Sequence, residues 1–268
     1  MEIRGRVVVV TGGGGGIGGA LCRRVAADGA SQVVVSDIDR QAAERVAAEI
    51  GGTAVVTDVT RESDVQALVS GTLDAYGRID LYCSNAGIAF AGGPEAPDEA
   101  WRQSWEVHVM AHVYATRALL PGMQARHDGY IVGTVSAAAL LNHVLAAPYA
   151  VTKAAGLSFL EWVAIAYHDQ GIRVSALCPQ GVRTAMLAQE GERRFLTAGA
   201  IEPNQVADAV VEAIRDERFL ILPHPEVGEF VRRKAADYDR WLRGMRRLRG
   251  RLLKEHEGPP DHAGDPPS

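Results

Sequence analysis

The chain has 268 residues, of which 47% are hydrophobic and 23% charged, the balance of a globular protein and not of a disordered or fibrous one. A formal net charge of −5 gives no electrostatic reason to expect nucleic acid or an anionic membrane as a partner. Three widely spaced cysteines, Cys22, Cys83 and Cys178, predict neither a disulfide framework nor a metal site, and they suit a reducing cytoplasm.

Strand-like and helix-like segments alternate from the N-terminus onward. Strands are predicted at residues 7–10, 33–36, 54–56, 79–83, 131–135, 174–177 and 219–222. Helices are predicted at residues 17–27, 41–50, 62–75, 98–126, 149–169 and 204–216. Continuous apolar strands that alternate with helices predict an α/β fold, in which a doubly wound, seven-stranded parallel sheet carries helices on both faces.

No segment is predicted to cross a membrane. The N-terminal apolar run is short and passes directly into glycines, unlike a signal peptide. Residues 129–152 contain no Asp, Glu, Lys or Arg, but they fit a strand, a loop and the start of a helix better than a membrane span. A soluble, cytoplasmic protein is therefore expected.

The C-terminal region is basic and helical in pattern. Residues 232–254 hold ten Lys or Arg and only two acids, and Trp241, Met245, Leu248 and Leu252 recur at helical spacing. The pattern predicts an amphipathic helix that packs on its own or a neighbouring subunit with a solvated basic face. A basic lip for an acidic substrate or for a membrane surface is the alternative.

A glycine-rich turn separates the first predicted strand from the first predicted helix. It reads Thr11, Gly12, Gly13, Gly14, Gly15, Gly16, Ile17 and Gly18. Glycines let a backbone approach a diphosphate without a Cβ in the way, and the helix behind them offers N–H groups. Because the GxGxxG pattern fits this run in two registers, its placement in a βαβ unit carries the argument. The turn predicts a dinucleotide-binding site at Gly12, Gly14, Gly15, Gly16, Ile17 and Gly18.

An acidic residue, Asp37, stands at the end of the second predicted strand, nineteen residues beyond Gly18. A carboxylate there accepts hydrogen bonds from both ribose hydroxyls of NAD and repels the 2′-phosphate of NADP. The glycine run holds no basic residue, and Arg40 is the nearest cation downstream. NAD is therefore the expected cofactor, with Ile38 in the same site, and NADP is the less favoured alternative. Asp39 is expected to cap the next helix.

Tyr149 and Lys153 lie four residues apart, about one helical turn, so a helix places both functional groups on one face. Ser136 stands thirteen residues before Tyr149, at the end of a predicted strand. With these residues in place, the sequence resembles the short-chain dehydrogenase/reductase family from residue 3 to about residue 225. The motifs that agree in order and spacing are the turn from Thr11 to Gly18, Asp58-Val59, Asn85-Ala86-Gly87, Ser136, Tyr149 with Lys153, and the run from Pro179 to Thr184.

The resemblance implies a Rossmann-like fold and catalysis by Ser136, Tyr149 and Lys153. A tyrosine has an ordinary pKa of about 10, and a drop of three units requires about 4 kcal/mol of differential stabilisation. The Lys153 ammonium and the positive nicotinamide favour the phenolate. Tyr149 then exchanges a proton with the substrate oxygen, Ser136 hydrogen-bonds that oxygen, and Lys153 also holds the nicotinamide ribose.

Further cofactor contacts are implied by the resemblance alone. They are Asp58 and Val59 at the adenine, Asn85, Ala86 and Gly87 along the cofactor cleft, and Pro179, Val182 and Thr184 in the loop beside the nicotinamide. Two positions depart from the family pattern. His108 replaces an asparagine that usually holds a water of a proton relay; it either anchors that water or is a satisfied interior histidine. Gln180 replaces a glycine, which changes the shape of the loop.

Apolar side chains predominate on the expected substrate side. That side holds Ala137, Leu141, His143, Met186 and Leu187. The expected reaction is therefore the interconversion of a lipophilic secondary alcohol and a ketone by hydride transfer with NAD(H). The alternatives are an NADPH-dependent carbonyl reductase and a catalytically silent, dinucleotide-binding regulator.

The predicted organisation has one domain with an extension. Residues 1–230 are expected to form the Rossmann-like dinucleotide-binding and catalytic domain, and residues 231–257 a basic helical extension of it. Residues 258–268, rich in Pro, Gly and Asp, are expected to be disordered. Members of the family commonly pair helices across two-fold axes, which implies a homotetramer or homodimer.

Overall fold

Seven parallel strands form one sheet in the computed structural model, which describes residues 1–189, 197 and 199–256. The strands are β1 (Val7–Thr11), β2 (Gln32–Asp37), β3 (Thr53–Val56), β4 (Leu81–Ser84), β5 (Gly129–Thr134), β6 (Ile172–Leu177) and β7 (Leu220–Ile221). Their order is β3-β2-β1-β4-β5-β6-β7, so the direction of winding switches between β1 and β4. In such sheets, ligands bind at the carboxyl ends of the strands beside the switch.

Helices connect the strands. In the described part of the chain they are α1 (Gly16–Ala27), α2 (Arg40–Ile50), α3 (Glu62–Tyr76), α4 (Asp98–Trp105), α5 (Ala111–Arg126), α6 (Ala137–Leu141), α7 (Ala147–Tyr167), α8 (Ala185–Gln189), α9 (Pro203–Arg215), α10 (Glu226–Ala236) and α11 (Tyr238–His256). A π-helical turn, Glu106–Met110, joins α4 to α5, and a 3₁₀ turn, His168–Gln170, follows α7.

Two apolar cores lie on opposite faces of the sheet, because successive strand residues point to opposite sides. Val8 and Val10 of β1 pack with α1, α2 and α9, whereas Val9 packs with α3, α5 and α7. The predicted doubly wound α/β fold with seven strands is therefore confirmed. None of the helices within the described residues has both the length and the apolar content needed to cross a bilayer.

Three segments differ from the prediction. The long helix expected at residues 98–126 contains the π-helical turn, and residues 137–141, expected in a loop, form α6. The single basic helix expected at residues 232–254 is two helices, because Asp237 adopts an extended conformation with φ −152° and ψ 91°. The Oδ1 of Asp237 accepts a hydrogen bond from the backbone N–H of Arg240 at 2.9 Å, so this residue caps α11. Residue 257 and the predicted tail lie outside the described residues.

Candidate active site

A cavity of about 1380 Å³ opens at the carboxyl ends of the central strands, beside the switch in winding direction. Its volume exceeds the roughly 300–1,000 Å³ of an ordinary small-molecule pocket, so it has room for a dinucleotide and a second molecule. The glycine-rich turn after β1, Asp37 of β2, and Tyr149 and Lys153 of α7 all line it. The two predicted halves of the site therefore share one space.

Close backbone packing shapes the glycine-rich turn. Gly12 has a φ of +63°, in the left-handed region that favours glycine. A Cβ on Gly18 would overlap the carbonyl oxygen of Gly12. The Nδ2 of Asn85 donates a hydrogen bond to the carbonyl oxygen of Thr11 at 3.1 Å and so ties the turn to the segment after β4. Larger side chains would push the turn out of the cavity wall.

The start of α1 fits a bound diphosphate. Its N-cap, Gly15, offers no side-chain capping bond, and the first turn of α1 holds no acidic residue. Gly15, Gly16 and Ile17 line the cavity, and a Cβ on Gly15 would meet nothing within 4 Å. Backbone N–H groups and the partial positive charge of a helix start attract phosphate oxygens. These residues therefore fit the diphosphate of a nicotinamide dinucleotide.

Asp37 stands beside the glycine-rich turn with both carboxylate oxygens held by backbone. Oδ2 accepts from the N–H of Gly14 at 2.9 Å, and Oδ1 accepts from the N–H of Asp39 at 3.0 Å. The nearby cation, Arg40, pairs with Glu44 at 3.7 Å. Asp39 accepts a backbone N–H from the first turn of α2, and its predicted role as a cap is correct.

A chain of hydrogen bonds links the glycine-rich turn to Lys153. The Oδ1 of Asn85 accepts from the Oγ1 of Thr134 at 3.1 Å, and the Nζ of Lys153 donates to the carbonyl oxygen of Thr134 at 3.0 Å. Because Asn85 also binds Thr11, this chain joins the ends of β1, β4 and β5 to α7. Sequence reasoning missed Thr134, since a backbone acceptor leaves no signal in the residue type.

Tyr149 and Lys153 share one face of α7, as their spacing predicted. The Nζ of Lys153 lies 5.6 Å from the centroid of the Tyr149 ring. Only 3% of the Lys153 surface is exposed, and desolvation lowers the pKa of its amine to about 7. Near neutral pH, such an amine is present in both protonation states, so it can hold or release a proton beside the phenol.

Ser136 lies between β5 and α6. Its Oγ accepts from the backbone N–H of Ala138 at 3.1 Å and donates to the carbonyl oxygen of Pro179 at 3.5 Å. Ser136 also lines the cavity with Tyr149 and Lys153. The hydroxyl that caps α6 is therefore held in the wall of the space that Tyr149 and Lys153 also line.

His108 stands beside Tyr149 but is not among the residues that line the cavity. Its Nδ1 lies 2.8 Å from the Oγ1 of Thr152, and its Nε2 lies 3.0 Å from the carbonyl oxygen of Ile88. Its ring meets the ring of Tyr149 edge-on, with centroids 5.4 Å apart. Burial, followed by the charge of Lys153, lowers the pKa of His108, so the ring is neutral at pH 7.

The π-helical turn that carries His108 packs closely on α7. A Cβ on Gly156 would lie 2.6 Å from the carbonyl oxygen of His108, so a larger residue at 156 would separate the two segments. A π turn holds one residue more than the α-helix around it, and such turns are frequent at functional sites. Here the turn directs the imidazole of His108 at Thr152 of α7.

A buried histidine supports the loop after β6. Three predicted residues of this loop line the cavity, namely Pro179, Val182 and Thr184. The Nδ1 of His224 accepts from the N–H of Gln180 at 3.2 Å, and its Nε2 lies 3.1 Å from the carbonyl oxygen of Gly181. Since Nδ1 accepts, Nε2 carries the proton and donates to that carbonyl. Sequence reasoning missed His224, because it lies 44 residues from Gln180 in a segment without a motif.

The remaining predicted cofactor positions divide into two groups. Those that line the cavity are Gly12, Gly15, Gly16, Ile17, Asp37, Ile38, Asp58, Val59, Asn85, Ala86 and Gly87. Gly14 and Gly18 stand behind that lining, where Gly14 donates to Asp37 and Gly18 packs on the carbonyl group of Gly12. Both glycines therefore shape the turn from outside the cavity.

The predicted substrate side also lies on the cavity. Its residues are Ala137, Leu141, His143, Met186 and Leu187. The rings of His143 and Tyr149 meet edge-on with centroids 6.3 Å apart. Four further apolar side chains come from the C-terminal helices, and sequence reasoning did not assign them here: Phe230, Trp241, Met245 and Leu248. The helical spacing of the last three was visible in the sequence, but the surface that they face is set by distant parts of the chain.

Known proteins match this chain over most of its length. The sequence model of the short chain dehydrogenase family matches residues 6–194. The chain is 35% identical over 238 residues to 1-deoxy-11-beta-hydroxypentalenate dehydrogenase of Streptomyces exfoliatus, which covers 84% of this chain and 86% of that protein. It is 39% identical over 191 residues to 2,5-dichloro-2,5-cyclohexadiene-1,4-diol dehydrogenase of Sphingobium indicum, over 69% of this chain and 76% of that protein.

A solved structure agrees with these sequence matches. A short chain dehydrogenase/reductase from Burkholderia phymatum in complex with NAD is 29% identical and superposes with a TM-score of 0.80, over 89% of this chain and 96% of that chain. The fold, the shared cavity and the sequence matches lead to one conclusion. The chain belongs to the short-chain dehydrogenase/reductase family, and it is an oxidoreductase that acts on CH–OH groups.

Proposed function

We propose that the protein interconverts a lipophilic secondary alcohol and its ketone with NAD(H). The observation that carries this proposal is the shared cavity, which the glycine-rich turn and Asp37 line together with Ser136, Tyr149 and Lys153. When bound, the nicotinamide supplies or accepts the hydride. Two relatives are named as dehydrogenases of a hydroxypentalenate and of a cyclohexadiene diol, which supports an alcohol as the reacting group.

Tyr149 exchanges a proton with the substrate oxygen through its Oη. It takes the hydroxyl proton of an alcohol, or gives a proton to the oxygen of a ketone. Lys153, 5.6 Å from the ring centroid, stabilises the phenolate when its amine is protonated. Each charge stabilises the other, so loss of the phenol proton makes the amine hold its own proton more tightly, and the two protons leave in separate steps that belong to the pair. Ser136 donates a hydrogen bond to the same substrate oxygen when its hydroxyl proton turns away from the distant carbonyl oxygen of Pro179.

Asp37 favours NAD over NADP. The backbone N–H of Gly14 fixes the carboxylate, which accepts ribose hydroxyls and repels a 2′-phosphate. The two arginines nearby have other partners: Arg40 pairs with Glu44, and Arg45 donates to the carbonyl oxygen of Gly14. The similar enzyme from Burkholderia phymatum is in complex with NAD, which supports the same choice.

The other cofactor contacts follow from where the predicted residues lie along the cavity. In this proposal the adenine meets Asp58 and Val59, the cleft is lined by Asn85, Ala86 and Gly87, the nicotinamide ribose binds Lys153, and the carboxamide meets Val182 and Thr184.

His108 acts on Tyr149 as a positioning residue. Its neutral ring joins Ile88 to Thr152, the residue before Lys153, and it packs edge-on against the phenol. With both ring nitrogens beside protein atoms, His108 holds the catalytic face of α7 at a fixed distance from the segment after β4. The water-anchoring role that the family resemblance implies stays a prediction.

A second copy of the chain is the expected protein partner. Val151, Trp162 and Ile165 of α7 are large apolar residues that are 52%, 58% and 83% exposed. Burial of such side chains favours association, and a homodimer or homotetramer is the usual symmetric result. The three cysteines are unpaired and buried, which suits a reducing, cytoplasmic location.

The proposal is tested with a panel of apolar secondary alcohols and ketones, assayed by nicotinamide absorbance with NAD(H) and with NADP(H). The wild type is expected to convert apolar members with NAD(H), and Tyr149→Phe serves as the blank. Binding of NADH, measured by quenching of protein fluorescence, separates lost chemistry from lost cofactor. Turnover that persists in Tyr149→Phe contradicts the mechanism. Faster turnover with NADPH contradicts the cofactor assignment, and tight NADH binding without any turnover favours a silent regulator.

A further inference from the structure

The apolar face of α11 forms part of the cavity wall. Trp241, Met245 and Leu248 recur at spacings of four and three residues, so they share one face of the helix, and all three line the cavity. Each is partly buried, whereas Leu242, the neighbour of Trp241, is 47% exposed and is not part of the lining. The apolar face of the helix that the sequence predicted to be amphipathic is therefore turned towards the cavity.

Two hydrogen bonds hold the C-terminal helices over the substrate side. The Nζ of Lys234 in α10 donates to the carbonyl oxygen of Leu140 at 2.6 Å. The Nε of Arg249 in α11 donates to the carbonyl oxygen of Val144 at 3.2 Å. Leu140 and Val144 flank the predicted substrate contact Leu141, so both helices are attached to the segment that carries Leu141.

Apolar contacts fix the position of this wall. The rings of Phe230 and Trp241 lie 6.4 Å apart between centroids, at an angle of 42°. Both side chains pack on a small core formed by Ala137, Leu141 and the fully buried Val227. The wall thus shares its support with residues of the substrate side, and it is not a helix end in solvent.

The basic side chains of α10 and α11 either lie outside the cavity lining or are paired with a carboxylate. Arg243, Arg246 and Arg247 of α11 are exposed and are not part of the cavity lining. Arg233 does line the cavity, but its Nε donates to Glu229 at 2.9 Å. A carboxylate beside the guanidinium opposes the binding of a second anion. These arginines of α10 and α11 therefore do not form a binding site for an acidic substrate in the cavity.

From these contacts we infer that Phe230, Trp241, Met245 and Leu248 determine which substrates are accepted, and that they select bulky apolar alcohols and ketones of more than one ring. This inference rests on the proposed function for the site of reaction, and it adds the surface that recognises the rest of the substrate. A larger hydrocarbon body buries more apolar surface against the wall and is held more tightly. A single-ring substrate buries less of that surface and is held less tightly.

The experiment compares one fused-ring ketone with one single-ring ketone. The ratio of kcat/KM for decalone to kcat/KM for cyclohexanone is measured with NADH for the wild type, Trp241→Ala, Leu248→Ala and the control Leu242→Ala. The ratio is expected to fall about tenfold in the two wall variants, the scale of discrimination that an apolar pocket provides. The control is expected to keep the ratio of the wild type. Equal effects in all three variants would overturn the inference.

A second variant covers the case in which Trp241→Ala fails to fold. Leu248→Trp keeps an apolar side chain and narrows the cavity, so it is expected to exclude decalone more than cyclohexanone. An unchanged ratio in Leu248→Trp, with thermal unfolding like that of the wild type, contradicts the inference.

Calorimetry separates this inference from the proposed function. If the wild type converts no member of the panel of alcohols and ketones, the proposed function fails, and the dissociation constant of decalone in the presence of NADH then tests the role of the apolar wall. A dissociation constant for decalone that is about tenfold larger in Leu248→Ala than in Leu242→Ala supports the inference that the wall recognises the substrate. Equal constants, or no binding of decalone to the wild type, overturn it.

Discussion

The amine of Lys153 donates a hydrogen bond of 3.0 Å to the backbone carbonyl oxygen of Thr134. This bond joins the face of α7 that carries Tyr149 and Lys153 to the last residue of β5, and Asn85 continues the connection to the glycine-rich turn. The glycine-rich turn and the face of α7 that carries Lys153 are therefore parts of one hydrogen-bonded unit. A substitution in the glycine-rich turn is therefore expected to affect Lys153, and a substitution of Lys153 is expected to affect the turn.

Lys153→Met is expected to change how stability depends on pH. The ordinary pKa of lysine is about 10.4, whereas burial lowers that of Lys153 to about 7. Between these values the unfolded chain binds more protons than the folded one, so the stability of the cofactor-free wild type rises with pH. Below about pH 7 both states are protonated, and the cost of the buried charge is constant. Lys153→Met removes this cost.

The measurement is thermal unfolding of the cofactor-free protein at neutral pH and near pH 10. The Tm of Lys153→Met is expected to exceed that of the wild type most at neutral pH, by about 2–4 °C for each kcal/mol of buried-charge cost removed. Lys254→Met, at an exposed position of α11, is the control and is expected to follow the wild type. A Tm difference that is the same at both pH values would count against the lowered pKa.

Asp37→Ser is expected to move the cofactor preference towards NADP(H). The change removes the negative charge that opposes a 2′-phosphate and the carboxylate that accepts ribose hydroxyls. If each of these two effects is on the order of tenfold, or about 1.4 kcal/mol, together they shift the ratio of the NADH and NADPH dissociation constants about a hundredfold. Asp39→Ser is the matched control, because serine also caps helices. The assignment to NAD fails if Asp37→Ser leaves the ratio where the wild type has it.

His224→Leu is expected to weaken cofactor binding through the loop after β6. The change leaves the N–H of Gln180 and the carbonyl oxygen of Gly181 without their partners, at a cost of about 1–3 kcal/mol. The KM for NADH is expected to rise about tenfold, since 1.4 kcal/mol of loop energy corresponds to that factor, with a smaller change in kcat. His224→Gln, which keeps polar atoms, is expected to restore part of the binding. A fall in Tm without a change in the KM for NADH would make the role of His224 purely structural. His168→Leu, at an exposed position, is the control and is expected to leave this KM unchanged.

Ile165→Glu is expected to weaken self-association. A carboxylate on the exposed apolar surface of α7 would be desolvated in any interface that covers Ile165, Trp162 and Val151. The mass in solution, measured by light scattering after size-exclusion chromatography, is expected to fall towards that of one chain. Gln66→Glu, an exposed position of α3, adds the same charge elsewhere. Equal masses for both variants would place the interface on another surface.

Local patterns in the sequence were sufficient to predict the α/β fold and to place Tyr149 and Lys153 on one face, because strand and helix periods and the spacing of four act over short distances. Ser136 was assigned to the same site by the family resemblance. The partners of these residues were not predictable in the same way. Lys153 binds a backbone oxygen of Thr134, and His224 binds backbone atoms 44 residues away. The position of Trp241 at the cavity depends on how α11 packs against distant parts of the chain. Such contacts are products of the tertiary fold.

The π-helical turn at Glu106–Met110 makes the length of this segment as important as its residue types. Each residue of an α-helix advances the chain by about 100° around the axis. Deletion of one residue here would restore a regular helix and rotate α4 by about that angle relative to α5. The side chains of Arg102 and Gln103 in α4, which line the cavity, would then face elsewhere, although no residue of α7 had changed. An insertion or deletion in this turn is therefore expected to be far less tolerated than a conservative replacement.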